Sequence, residues 1–210
     1  MTERPILFNT EMVRAILDGR KKQTRRIIKL APRFGGHPVG ESGNPDNPLG
    51  FMYPCVIKRP PCNPGDILWV RETWSTHYDG YHPDLVYCYK ADGLDLKAEC
   101  LPGENNRWYP SIHMPKEAAR IFLRVKDVRV ERLQKCGSGW CIDIENEGVK
   151  TPQDPILYVN DDKFHDALRT EMEKLWNSTI KKADLPVYGW DANPWVWVIE
   201  FERCEPPKEG

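Results

Sequence analysis

The chain has 210 residues, 40% of them apolar, with eight Trp, eight Tyr and six Phe, enough for one domain with elaborations around a real core. Its formal net charge of −1 argues against a protein that coats nucleic acid indiscriminately, and no run of about 18 apolar residues is available to span a membrane. Met1-Thr2-Glu3-Arg4-Pro5 lacks the apolar stretch of a signal peptide, so the expected compartment is the cytoplasm.

Ile6-Leu7-Phe8 predicts a short strand. Asn9 or Thr10 then caps a helix running to about Asp18, with Glu11 in its first turn and Met12, Val13, Ile16 and Leu17 on one apolar face. Gly19 is a natural stop. The stretch Gly19-Arg20-Lys21-Lys22-Gln23-Thr24-Arg25-Arg26 follows, with five cations in eight residues. From Arg14 to Arg33 eight Lys/Arg face one acid, Asp18, a local net of +7 that leaves −8 for the rest of the chain. Such a concentration suggests a phosphate-bearing partner or a lysine of unusual acidity. A solvated basic turn favoured by the helix dipole has the same composition.

Residues 32–64 are rich in Pro, Gly and Asn and read as a surface insertion. Pro64-Gly65-Asp66 turns into a strand over Ile67–Trp74, with Leu68, Val70 and Glu72 on one face and Trp69, Arg71 and Thr73 on the other. Val86–Tyr89 is another strand, and 92–110 a second irregular stretch. Arg120–Val125 and Val128–Leu133 both alternate, but their apolar parity flips across Lys126-Asp127, which predicts a bulge or bend. Residues 142–148 suit a short helix ended by Gly148. Phe164, Ala167, Leu168, Met172, Leu175 and Trp176 have helical spacing over 162–178. Trp195–Phe201 is the last strand, with Trp195, Val196, Trp197 and Val198 expected to pack inside. The sum is an α+β domain around a curved, mostly antiparallel sheet.

Seven cysteines at irregular spacing are expected to be reduced. The nearest pairs, Cys136/Cys141 and Cys55/Cys62, are spaced too widely for a structural zinc site, so neither metal nor cofactor is expected.

Lys21 and Thr24 lie three residues apart. A helical turn would put them on one face and an extended strand on opposite faces, so cooperation between them requires a turn after Gly19. A threonine hydroxyl becomes a nucleophile only when a base takes its proton, and a lysine is that base only when neutral. Like charges at Lys22, Arg25 and Arg26, together with burial, would push its pKa down.

Gly19-Arg20-Lys21-x-x-Thr24-x-Arg26 resembles the G-x-K-x-x-T-x-R signature of ASCH domains, a branch of the PUA-like fold. Pro64–Val70 resembles the family's turn and strand, and Val125–Leu133 its central β-segment. Glu145-Asn146-Glu147-Gly148 resembles its short acidic helix, and Trp197–Phe201 its closing strand. The strings Trp69–Trp74, Pro110–Pro115 and Asn193–Val198 are similar to the larger phage and prophage ASCH proteins. The resemblance implies a single domain over 1–210: a PUA-like, mostly antiparallel β-barrel with flanking helices and insertions at about 33–62, 76–112 and 149–162.

It further implies a cleft for a nucleoside, nucleotide or RNA base; the lack of a long apolar run leaves no membrane partner expected, and no obligate protein partner is evident. Some compact relatives are amidohydrolases that deacylate N4-acetylcytidine. Carried onto this chain, their catalytic residues match Thr24 as nucleophile, Lys21 as base, and Glu147 as the group that orients the lysine or protonates the leaving amine. Glu145 competes for that third role. Arg20, Lys22, Arg25 and Arg26 are expected on the substrate, the last two as a phosphate clamp. Arg71, Glu72, Trp74 and His113 complete the expected contacts, with Glu72 suited to an exocyclic amine and His113 to proton transfer. Trp69, Trp74, Tyr87, Tyr89 and Trp108 are candidates for base stacking, at about 1–3 kcal/mol for each base stacked. The alternatives are a non-catalytic reader of RNA or modified bases, and an ASCH-type ribonuclease whose cations stabilise phosphate charge.

Overall fold

The first apolar run forms strand β1 (Glu3–Leu7) in a computed structural model that describes residues 2–28, 60–77, 86–96, 107–135, 140–150 and 161–207. Helix α1 (Thr10–Leu17) follows, and the Asn9 side chain caps it by accepting from the Met12 N–H at 2.8 Å. Val13, Ala15 and Ile16 are its buried face. Gly19 leaves the helix at φ 75°, a left-handed conformation that glycine adopts without a Cβ clash. The basic segment then becomes strand β2 (Gln23–Ile27).

Strands β3 (Ile67–Arg71), β4 (Trp74–His77), β5 (Val86–Tyr89), β6 (Phe122–Arg132) and β7 (Trp195–Cys204) complete the β structure. The helices are α2 (Trp140–Asn146), α3 (Asp161–Ser178) and α4 (Leu185–Tyr188). A five-stranded sheet has the order β1-β3-β6-β7-β2, and β4-β5 form a second sheet. β1 runs parallel to β3, whereas β3/β6, β2/β7 and β4/β5 are antiparallel, so the larger sheet is mixed. Its order ends at β1 on one side and β2 on the other.

The strand expected over 67–74 is divided. β3 stops at Arg71 and Trp74 opens β4 in the other sheet. At Glu72 the backbone N–H points to the Met114 sulfur at 3.2 Å and the side chain is buried on Arg120, which takes the chain out of the ladder. The expected insertions over 33–62 and 149–162 fall almost wholly outside the described residues, while 76–112 contains β5. Cys62, Cys88 and Cys204 carry reduced thiols; Cys55, Cys100, Cys136 and the Cys141 side chain are outside the described set.

The chain divides into two compact units, one of residues 1–22, 64–126 and 201–210, the other of 23–63 and 127–200. In the first, Ile6, Phe8, Val13, Ile67, Val70, Leu123 and Phe201 are buried, and the Phe8 and Phe201 rings lie 6.2 Å apart. The second has one apolar cluster of Leu133, Ile144, Val149, Leu168, Met172, Trp176, Trp190, Val196 and Val198. Leu168, Met172 and Trp176 recur every fourth residue along α3, the stripe that its periodicity predicts. Trp195 and Trp197, expected inside, are only half-buried, because alternation gives the core face to Val196 and Val198. The parity flip at Lys126-Asp127 does not interrupt β6; it falls where the strand passes from one unit to the other. No helix among the described residues is long and apolar enough to cross a membrane.

Leu168 is fully buried in its cluster, so Leu168→Ala should cost about 2–5 kcal/mol of stability through lost transfer energy and the cavity it leaves. Urea titration should show a lower midpoint at unchanged slope. Val187→Ala, at an exposed site, should change stability by less than about 0.5 kcal/mol.

Candidate functional site

The basic segment contributes to both units. In the first, Arg20 pairs with Asp18 at 2.9 Å and Lys22 is exposed. Lys21 is buried: its backbone N–H donates to the Ala15 carbonyl at 2.9 Å, and its ammonium lies 5.7 Å from the centre of the Phe8 ring, a cation–π distance.

In the second unit the register of β2 against β7 fixes which side chains share a face. Gln23 stands opposite Glu200, Thr24 opposite Ile199, Arg25 opposite Val198, Arg26 opposite Trp197 and Ile27 opposite Val196. Alternation puts Arg25 and Ile27 with Val198 and Val196 on the side of the apolar cluster, and Thr24 and Arg26 on the other. The turn-like geometry that cooperation of Lys21 with Thr24 was expected to need is absent from Gln23 onward. Ladder pairing with β7 holds that backbone extended.

Helix α2 and its exit meet the Arg25 face. The Gln23 amide nitrogen donates to the Asp143 carbonyl at 2.8 Å. The Arg25 Nη1 donates to Glu147 Oε1 at 2.8 Å, with side chains only 1% and 5% exposed. Glu147 is held by a tight helix exit, in which its N–H donates to the Ile144 carbonyl and the Gly148 N–H to that of Glu145, with Gly148 at φ 82°. Glu145, the competing acid, is exposed. Arg25 Nε and Nη2 are buried with no hydrogen-bond partner among the described residues. Burial pulls the Arg26 guanidinium below its usual pKa, and the charge of Glu147 works in the opposite direction.

The other expected contacts lie in the first unit and are engaged in ways the sequence did not announce. Arg71 Nε donates to the Met114 carbonyl at 3.0 Å, and its guanidinium covers the Trp69 ring at 5.3 Å. The Glu72 carboxylate is held by both nitrogens of the Arg120 side-on edge, at 2.9 and 3.1 Å. Arg120 also grips Asp92 through two bonds of 2.9 Å and stacks 3.9 Å over Tyr89. Tyr89 donates its hydroxyl to the Ala118 carbonyl at 2.7 Å, and burial pushes its pKa up to about 12. Trp74 contacts Tyr87 and Tyr109, with centroids 5.8 and 5.2 Å away, and its indole N–H is buried without a partner. His113 is exposed on the Ser111–His113 turn, and Trp108 is half-buried.

Arg120 and Arg129 were missed by sequence reasoning. Arg129 is bonded to Glu131 and Glu200; burial lowers its pKa, but the two carboxylates outweigh that and raise it. Nothing local ties Arg120 to Glu72, 48 residues away, whereas the Arg129-x-Glu131 spacing on a strand was a readable signal. Among the described residues no group of three or more His, Cys, Asp or Glu is placed to hold a metal ion. No family model, curated protein or solved structure matches the chain.

Burial raises the Glu72 pKa above its ordinary 4.5, partly offset by Arg120. A carboxyl that holds its proton more tightly folded than unfolded makes stability fall as pH rises from about 4.5 through the folded value. Arg120→Met leaves that carboxylate unpaired and should cost about 3–5 kcal/mol at pH 7. The loss should shrink toward pH 5, where protonation makes Glu72 cheaper to bury. Denaturant midpoints across that range check it; an equal loss at both ends would remove Glu72 as the cause.

Proposed function

We propose that the chain is an ASCH domain, built on a PUA-like β-barrel, that binds a modified nucleoside, nucleotide or RNA base and hydrolyses an N-acyl amide on a cytidine-like substrate. The observation that carries the reading is the burial of the signature residues: Lys21, Thr24 and Glu147 are 3, 2 and 4% exposed. Lysine and glutamate are seldom buried to that depth unless paired, because burial of charge is costly. Three residues of chain keep the Cα atoms of Lys21 and Thr24 within about 11 Å of each other whatever their conformation.

In this reading the Thr24 Oγ attacks the amide carbonyl carbon while neutral Lys21 takes its proton. The C–N bond then breaks, the exocyclic amine leaves with a proton, and the acyl group stays on Thr24 as an ester. Water hydrolyses the ester, releasing a carboxylic acid and restoring the hydroxyl. Glu147 orients Lys21 or supplies the proton to the leaving amine.

A second reading, binding without turnover, is favoured by one contact: Glu147 Oε1 is already engaged by Arg25 at 2.8 Å. Incubation with N4-acetylcytidine, followed by chromatography of released cytidine, separates the two. Amide hydrolysis predicts release by the native chain, and none by Thr24→Ala or Lys21→Ala with their circular dichroism unchanged. Retained release in either variant would remove its assigned role; no release by the native chain leaves the reader.

A further inference from the structure

We infer that the unpaired edge of the Arg25 guanidinium is a binding site for an oxyanion, a carboxylate or phosphate group presenting two oxygens. Nη1 is committed to Glu147 at 2.8 Å, while Nε and Nη2 are buried without a partner on a side chain 1% exposed. Those two nitrogens form the side-on edge of the guanidinium, whose parallel N–H groups match a pair of oxygens. The chain shows what that edge takes when satisfied: in Arg120 the same two atoms hold both oxygens of Glu72, at 2.9 and 3.1 Å. Arg25 presents the same fork with the acceptor missing.

Two further features select an anion. The guanidinium is positively charged and offers N–H donors only, so the complement of its open edge is a negatively charged acceptor. The sequence from Arg20 to Arg26 also holds five cations and no acid, a charge that draws anions. Ile27, Val196 and Val198 share the Arg25 face, and apolar neighbours strengthen an ionic hydrogen bond. Thr24 points to the opposite face of β2 while Glu147 is common to both, so the anion site deepens the proposed function by adding a subsite beside its acidic residue.

The test is calorimetric titration of the full chain at constant ionic strength with inorganic phosphate, acetate and cytidine 5′-monophosphate in separate arms. The expected result is saturable binding of an oxyanion, the tightest arm naming its source. Arg25→Lys keeps the charge but loses the fork, and should weaken binding at least tenfold. Glu147→Gln removes the competing negative charge and should tighten phosphate binding, a change that a purely structural Arg25–Glu147 pair would not produce. Absence of saturable binding, as when water fills the fork, would overturn the inference, as would unchanged affinity in Arg25→Lys. If Arg25→Lys fails to fold, Glu147→Gln decides: equal or weaker phosphate binding overturns the site. Inorganic phosphate and acetate carry no amide to cleave, so failure of the hydrolytic reading leaves this result standing.

Discussion

The antiparallel pairing of β2 with β7 is the constraint on which the candidate site depends. It forces a strongly basic stretch into an extended ladder and assigns neighbouring side chains to opposite sides. Arg25 is thereby driven toward an apolar cluster, where a cation is tolerable only with a partner, and Glu147 supplies it. The same pairing sends Thr24 the other way. A slip of one residue would exchange these roles and place a hydroxyl where the guanidinium now meets the carboxylate.

Arginine–carboxylate contacts recur in both units, with different degrees of completion. Around Arg120 the guanidinium is nearly saturated: two carboxylates grip it, an aromatic ring lies beneath it, and it remains partly open to water. Around Arg25 one nitrogen is satisfied and the side-on edge is bare. The saturated cluster is arranged to hold its surroundings in place, whereas a buried donor pair without an acceptor weakens the folded state. That difference separates a structural ion pair from a site with capacity left.

Much of the fold was legible because its signals were local. The cap at Asn9, the stop at Gly19, the Leu168-Met172-Trp176 stripe and the strands at 86–89 and 195–201 are each written within a few residues. Lys21 and Thr24 of the basic segment, and Glu147 far downstream, are all buried, which composition alone does not announce. The sequence left open whether Lys21 and Thr24 share a turn or a strand; a strand far downstream, with Ile199 set opposite Thr24, holds the backbone extended from Gln23 on, a pairing that no local pattern announces. The unbroken strand over 67–74 failed for a related reason, since at Glu72 the backbone N–H meets the sulfur of Met114, 42 residues away, rather than a strand neighbour. Side-chain pairing across long separations leaves no periodic mark, so Arg25–Glu147 and Glu72–Arg120 became visible only with the fold.

Strands β6 and β7 each begin in one compact unit and end in the other, so neither unit is a continuous piece of chain. The first unit includes residues 201–210 and therefore cannot be completed until strand β7 has left the ribosome. Some two hundred residues must be synthesised before helix α1 gains the last members of its unit, and until then the Phe8 ring awaits that of Phe201. Non-local closure of this kind is slow, because loop-closure entropy is lost before the contacts that offset it are made. A chain threaded this way resists dissection: a cut inside β6 or β7, where the units meet along the sequence, splits a strand that both of them use.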